Sequence, residues 1–84
     1  MSPRKRRPSE QLPPGEYERM LQVQGGVCAI CGNPPKTRRL DVDHDHKTGV
    51  IRGLLCFTCN HHLLGKYATV AKLRAAADYL ERFA

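Results

Sequence analysis

Apolar and polar positions along this chain follow two different periods. Between residues 15 and 24, apolar side chains recur every three or four positions, as they do on one face of a helix. From Leu40 to Asp45, apolar residues and His44 alternate with acids, which is the period of a half-buried strand. A second apolar run, Val50 to Leu55, follows the turn-forming sequence Lys47-Thr48-Gly49. The pattern therefore predicts a short helix and then a β-hairpin.

The C-terminal segment has the clearest helical pattern. Thr69 can cap a helix over residues 69–83, and three consecutive alanines favour that helix. Its apolar positions form one stripe, made of Val70, Leu73, Ala77, Leu80 and Phe83. We expect this stripe to pack on the rest of the domain, with a dimer contact as the alternative. A further helical turn is predicted from Asn60 to Leu64, ending at Gly65.

Composition limits the class of protein. The 84 residues make one small domain, and domains of this size often need a staple. Lys and Arg outnumber Asp and Glu by 14 to 8, which favours polyanionic partners such as nucleic acid. Residues 1–14 hold four of the six prolines and a basic run. We predict a disordered arm there, which either follows a phosphate backbone or only adds solubility. No apolar run is long enough for a membrane span.

Four cysteines form two Cys-x-x-Cys pairs, Cys28 with Cys31 and Cys56 with Cys59. Disulfides would suit a secreted chain, but the N-terminus is basic and lacks an apolar signal segment. Two such pairs in an intracellular chain favour a four-thiolate zinc site. The pairs are separated by 24 residues, enough for a hairpin, so zinc would tie the two ends of the hairpin together. Four thiolates close the coordination shell, which makes this zinc structural.

The first predicted strand runs into Asp43-His44-Asp45-His46. An imidazole can take a proton from water and a carboxylate can hold a hard divalent cation, and phosphodiester hydrolysis needs both. Neighbours on a strand point to opposite faces, so Asp43 and His44 can share a site only where the strand lies against a helix and is locally irregular. Asn60 directly follows a cysteine and offers an amide oxygen suited to the same ion. The alternative is a solvated hairpin with ordinary polar residues.

Taken together, these motifs resemble the recombination endonuclease VII family, a phage-type group of HNH or ββα-metal nucleases. The resemblance covers residues 17–65. It is carried by Cys28-x-x-Cys31, Leu40-x-x-Asp43-His44-Asp45-His46-x-Thr48-Gly49 and Arg52-Gly53-Leu54-Leu55-Cys56-x-x-Cys59-Asn60. It implies a small α+β fold, in which an HNH (His-Me finger) hairpin and helix carry a structural four-cysteine zinc site and flanking helices. A single nuclease domain would span residues 15–84, with the zinc-bound finger over 27–67.

The resemblance also implies a metal-dependent DNA endonuclease that nicks or cuts both strands, including branched recombination or packaging DNA. Asp43 and Asn60 would hold a catalytic Mg²⁺, Mn²⁺ or another divalent ion. His44 would be the general base, and His46 would hold the phosphate or order that base. Expected partners besides DNA are a second copy of the chain or phage packaging and recombination proteins. The setting would be the host cytoplasm, away from membranes.

Other residues and functions stay open at this point. Arg38, Arg39 and Arg52 are candidates for phosphate contacts and equally for ordinary surface charges. His61 and His62 either assist the neighbouring asparagine or face solvent. The alternative function is a non-catalytic zinc-dependent module that binds nucleic acid, which would leave the Asp-His cluster without a role. A protein-interaction adaptor that uses the C-terminal stripe is compatible with the nuclease.

Overall fold

A computed structural model describes residues 12–65 and 68–84 as a small α+β architecture. Residues 1–11 of the predicted arm and residues 66–67 of the predicted finger lie outside the described residues. The elements, in chain order, are helix α1 (Glu16–Val23), strands β1 (Asp41–His44) and β2 (Ile51–Leu55), the π-helix π1 (Thr58–Leu64) and helix α2 (Val70–Glu81). No helix in the described ranges is both long and apolar enough to cross a membrane.

The two strands form an antiparallel hairpin with one irregularity. Asp43 lies opposite Gly53, but the next residue of β1, His44, lies opposite Ile51. Arg52 is therefore the extra residue of a β-bulge, which bends the strand and leaves that residue unpaired in the ladder. The irregularity falls between Asp43 and His44. The shift lies opposite the step from Asp43 to His44, but its extra residue belongs to β2, so it does not by itself turn these two side chains of β1 towards one site.

The hairpin turn is stabilised by the carboxylate of Asp45. One of its oxygens accepts hydrogen bonds from the backbone N–H groups of Thr48 at 2.9 Å and Lys47 at 2.8 Å. These two bonds hold the pKa of Asp45 below its usual range. Gly49 closes the turn with a φ of 76°, in the left-handed region that glycine adopts at no steric cost. The predicted Lys47-Thr48-Gly49 turn thus has a carboxylate cap that the sequence pattern did not single out.

The hydrophobic core lies where the base of the hairpin meets the cysteines. Six buried residues form it, namely Cys28, Leu40, Val42, Leu54, Leu55 and Cys59. Tyr17, Met20 and Leu21 of α1 pack against this cluster, and so does Leu12. Because two of the six core residues are candidate metal ligands, folding and metal binding depend on the same side chains.

Gln24 joins the end of α1 to β2 through its side chain. Its amide nitrogen donates to the carbonyls of Val27 and Leu54, both at 2.9 Å, and its amide oxygen accepts from the Leu54 N–H at 2.8 Å. A Cβ at Gly53 would lie 3.3 Å from that same amide oxygen, which is tighter than ordinary van der Waals contact. The glycine therefore permits the close approach by which the helix is attached.

Replacing Gln24 with alanine is expected to lower the free energy of unfolding by about 2–3 kcal/mol, because it removes three hydrogen bonds and leaves a buried Leu54 N–H unsatisfied. Urea unfolding followed by circular dichroism measures the loss. Gln22→Ala makes the same substitution at an exposed position of the same helix and should change stability by less than about 0.5 kcal/mol. Equal effects of the two substitutions would contradict the attachment role of Gln24.

The C-terminal helix departs from expectation in its packing. Thr69 caps it as predicted, since its hydroxyl accepts from the Lys72 N–H at 3.1 Å. No residue of α2 is buried, however, and Val70, Leu80 and Phe83 keep 66%, 67% and 75% of their surface exposed. The predicted packing of the stripe on the domain is therefore wrong for the described part of the chain, because helical periodicity marks an apolar face without specifying what covers it.

Candidate functional site

The four cysteines meet at one point. Their Sγ atoms all lie within 4.8 Å of one another, and none of them forms a disulfide. The sulfurs of Cys31 and Cys56, one from each pair, are 3.8 Å apart. A tetrahedral zinc ion with Zn–S bonds of about 2.3 Å separates its sulfurs by about 3.8 Å. The cluster could therefore hold a structural metal ion such as zinc, as the sequence predicts.

Backbone amides support the thiolates in both knuckles. The Ile30 N–H points at the Cys28 sulfur at 3.5 Å, and the Cys59 N–H points at the Cys56 sulfur at 3.4 Å. Gly32, with a φ of 74°, bends the first knuckle back so that its N–H donates to the Cys28 carbonyl at 3.0 Å. In each knuckle the first cysteine thus receives a backbone N–H, from two residues on in one and three residues on in the other, and these donors stabilise negative charge on the sulfur.

The pKa values of two of the thiols differ in a way that favours a cation in the cluster. Burial raises the pKa of Cys28, but backbone amides, chiefly that of Cys56, outweigh it and lower the pKa to about 6. Burial and the neighbouring thiols raise the pKa of Cys59 to about 12. One thiolate forms readily, whereas a second close beside it is opposed by desolvation and like-charge repulsion. A divalent metal ion would reverse that balance by neutralising the charge.

Asp43 is the buried charged residue of the hairpin, and Arg52 neutralises it. The guanidinium donates from Nε to Oδ2 at 2.8 Å and from Nη2 to Oδ1 at 3.0 Å. This bidentate pairing raises the pKa of Arg52. The sequence left Arg52 open between a phosphate contact and an ordinary surface charge, and this partner was not predicted. No pattern in the sequence shows the bulge that brings residues 43 and 52 together.

The two histidines of the cluster lie side by side beyond the bulge. The ring centroids of His44 and His46 are 4.9 Å apart, with the planes tilted by 55°. His44 is half-buried and His46 is exposed. The end of β1 therefore carries a buried carboxylate and, next in the chain, two adjacent imidazoles that solvent can reach.

Asn60 approaches the site from π1. Its N–H donates to the Cys56 carbonyl at 2.9 Å, so the second knuckle fixes its backbone. Its carbonyl accepts from the Gly65 N–H at 3.3 Å, the i to i+5 bond of a π-helix. Within the described ranges, the Asn60 amide has no side-chain hydrogen bond, to Asp43 or to any other residue. The two sequence-predicted metal ligands therefore lie on β1 and π1 without a hydrogen bond between them.

The basic residues before β1 lie on aromatic rings. The Arg39 guanidinium carbon is 4.2 Å from the centre of the Tyr17 ring, and that of Arg38 is 5.2 Å from the centre of the Phe57 ring. Arg38 also pairs with Asp41. Cation–π contacts of this kind hold long side chains in place while leaving their N–H groups outward. Both arginines are thus presented on the surface beside the hairpin.

His61 and His62 belong to this aromatic group. Their ring centroids are 4.5 Å and 5.5 Å from that of Phe57. His61 also places Nε2 at 3.4 Å from Asp41 Oδ2. The sequence left the two histidines open between assisting Asn60 and facing solvent. In the structure both are exposed and contact Phe57, a residue that sequence reasoning did not single out.

Comparison with known proteins gives relatives that include two phage proteins. The chain is 48% identical to the Gene 59 protein of Mycobacterium phage D29 over 69 residues, which cover 80% of the chain and 42% of that protein. It is 55% identical to the Gene 59 protein of Mycobacterium phage L5 over 51 residues, 60% of the chain and 31% of that protein. The chain thus spans less than half the length of these curated relatives. No solved structure matches it.

The family comparison agrees with the motifs. The model of the recombination endonuclease VII family matches residues 4–82, nearly the whole chain. The match includes both cysteine pairs, the Asp-His cluster of the hairpin and Asn60. The resemblance found in the sequence is confirmed, and the chain belongs to the recombination endonuclease VII family.

Proposed function

We propose that this chain is a metal-dependent DNA endonuclease whose hairpin and π1 form a ββα-metal site of the HNH type. The observation that carries the proposal is the buried Asp43 carboxylate, directly followed in the chain by the His44–His46 ring pair, at the bulge of the hairpin. Membership of the endonuclease VII family supports hydrolysis of nucleic acid. The π-helix that carries Asn60 supports it further, since such irregular turns recur at functional positions.

The donor atoms suit a hard divalent cation. A carboxylate and an amide oxygen, from Asp43 and Asn60, are ligands that Mg²⁺ and Mn²⁺ accept, with water completing the shell. The Asp43 carboxylate already pairs with a cation, the Arg52 guanidinium, so positive charge is accommodated at this position. When bound, the ion would stabilise negative charge on the phosphate and the leaving oxygen. The metal of the four-cysteine cluster would be structural, because its four thiolates leave no position open.

The histidines supply the proton chemistry. His44, half-buried and next in the chain to the carboxylate residue, would take a proton from the attacking water, and the neighbouring His46 would order that imidazole or contact the phosphate. Arg38 and Arg39 would bind the phosphate backbone, since both are exposed, and Arg38 would then share its guanidinium with Asp41. Contacts of this kind read backbone and groove shape, so we expect low sequence specificity.

Metal dependence is the first test of this function. We expect supercoiled plasmid to be nicked by the zinc-loaded protein in Mg²⁺ or Mn²⁺ and to stay intact in EDTA, as followed on agarose gels. Asn60→Ala should lower the cleavage rate about 10²-fold, because a bound metal ion contributes several kcal/mol to stabilisation of the transition state. Thr58→Ala, an exposed position of the same helix, is the matched control and should cleave normally.

The same experiment separates the nuclease from a binding module. Tight, salt-sensitive DNA binding without cleavage in any divalent ion would favour the non-catalytic zinc module. Comparing a four-way junction with linear duplex under one metal condition would then define the substrate. A second copy of the chain, or phage packaging and recombination proteins, are proposed partners in the host cytoplasm, and the exposed face of α2 is available to them.

A further inference from the structure

We propose that Arg52 is the built-in counter-ion of the candidate catalytic metal site. In the metal-free chain it holds the Asp43 carboxylate, and it yields that carboxylate to an incoming divalent cation by moving towards Asp45. The inference rests on the proposed function, because it assumes that Asp43 is a metal ligand. It goes further by assigning Arg52 a positioning role that sets the metal affinity of the site.

The Asp43 carboxylate is already occupied by the Arg52 guanidinium. Both carboxylate oxygens of Asp43 accept a hydrogen bond from Arg52, at 2.8 Å and 3.0 Å. A divalent ion bound to either oxygen would sit at about 2.1 Å from it, beside a guanidinium nitrogen that already touches the same atom. Two cations that close together in a buried place repel strongly. The ion and the guanidinium therefore compete for the carboxylate.

The side chains of Asp43 and Arg52 differ in how freely they can move. The side chain of Asp43 is 9% exposed, whereas that of Arg52 is 45% exposed. Arg52 is also the bulge residue, so its backbone is not held by a strand partner. The acid is therefore fixed in the hairpin, and the guanidinium is the partner that can move.

A second carboxylate, that of Asp45, lies within reach of Arg52. Arg52 Nη1 lies 4.0 Å from Asp45 Oδ2, and the Asp45 side chain is 39% exposed. Arg52 Nη2 is also 3.4 Å from the His44 carbonyl. A small rotation would therefore move the guanidinium from Asp43 to Asp45 without leaving it unpaired. The backbone phosphate of a bound DNA strand would be a further acceptor at the same surface.

A buried carboxylate without a positive partner is costly, and it would protonate or turn away. Arg52 supplies that positive partner and holds the Asp43 carboxylate in position before a metal ion arrives. The measured free energy of metal binding is then the free energy gained by binding the ion to Asp43, reduced by the free energy needed to release the guanidinium. Removing the guanidinium should therefore tighten metal binding, even though it weakens the hairpin.

The test is Mn²⁺ binding to the zinc-loaded protein without DNA, measured from the free Mn²⁺ signal in electron paramagnetic resonance. We expect Arg52→Gln to lower the Kd for Mn²⁺ about tenfold. Arg52→Lys, which keeps the charge but loses the bidentate geometry, should lower it by a smaller factor. Arg19→Gln is the matched control, since it removes an Arg–carboxylate pair on α1, and it should leave the Kd unchanged.

The outcomes separate this inference from the proposed function. Mn²⁺ binding that Asp43→Asn abolishes, together with equal or weaker binding in Arg52→Gln, would overturn the inference and leave the metal site standing. Wild-type Mn²⁺ binding that is insensitive to Asp43→Asn would overturn the metal site and the inference with it. Circular dichroism and zinc content verify that each variant is folded. If Arg52→Gln does not fold, Arg52→Lys decides, and unchanged or weaker binding there overturns the inference.

Discussion

Loss of the metal from the four-cysteine cluster is expected to unfold the hairpin. The cluster contributes Cys28 and Cys59 to a core of six buried residues, so few contacts remain once it opens. Structural zinc sites contribute on the order of 10–16 kcal/mol to folding, whereas whole domains are stable by only about 5–15 kcal/mol. Cys59→Ser, or removal of zinc by acid and chelator followed by return to neutral pH, should abolish the cooperative thermal transition in circular dichroism.

Thr58→Ser, between the same two cysteines, is the control for Cys59→Ser, and it should keep both the metal and the transition. Mass spectrometry measures the zinc content and shows whether a protein that has lost the thermal transition has also lost the metal. A metal-free chain that melts at the wild-type temperature would show that the cysteines are dispensable. That result would also remove the argument that the second knuckle fixes Asn60.

His44→Ala is expected to lower the rate of DNA cleavage about 10²- to 10⁴-fold, the usual contribution of a general base. DNA binding in EDTA and the thermal transition should change little, because His44 is half-buried at the end of β1 and lies outside the core cluster. Single-turnover cleavage of a labelled duplex measures the rate, and fluorescence anisotropy measures binding.

His62→Ala removes an exposed imidazole that contacts the edge of Phe57, and it should cleave at close to the wild-type rate. A large loss there, with little loss in His44→Ala, would move the general base from the hairpin to π1. Partial rescue of His44→Ala by added imidazole would support a proton-transfer role over a structural one.

Local patterns in the sequence predict most of what lies within one element. The Cys-x-x-Cys spacing brings two sulfurs together over a single turn, so the metal cluster follows from four residue positions. Alternation over residues 40–45 places Leu40 and Val42 in the core, where the structure has them. Thr69 caps α2 for the same local reason. In each case the cause and the consequence are only a few residues apart.

Contacts between distant residues were beyond such patterns. The Gln24 side chain binds the backbone of Leu54, 30 positions away, and no local signal distinguishes it from the exposed Gln22. The pairing of Arg52 with Asp43 depends on a bulge that shifts the register by one residue. Helix α2 was predicted correctly from its apolar spacing, but the predicted packing of its apolar stripe on the domain is wrong.

The attachment of Gln24 has a further consequence for solubility. A two-stranded sheet exposes backbone groups along its outer side, where another chain could add a strand and begin aggregation. At Leu54, the N–H is taken by the Gln24 amide oxygen, and the carbonyl is taken by the Gln24 amide nitrogen and the Ala29 N–H. The Gln24 side chain thus makes the hydrogen bonds that a third strand would make at Leu54, so another chain cannot pair with the backbone there.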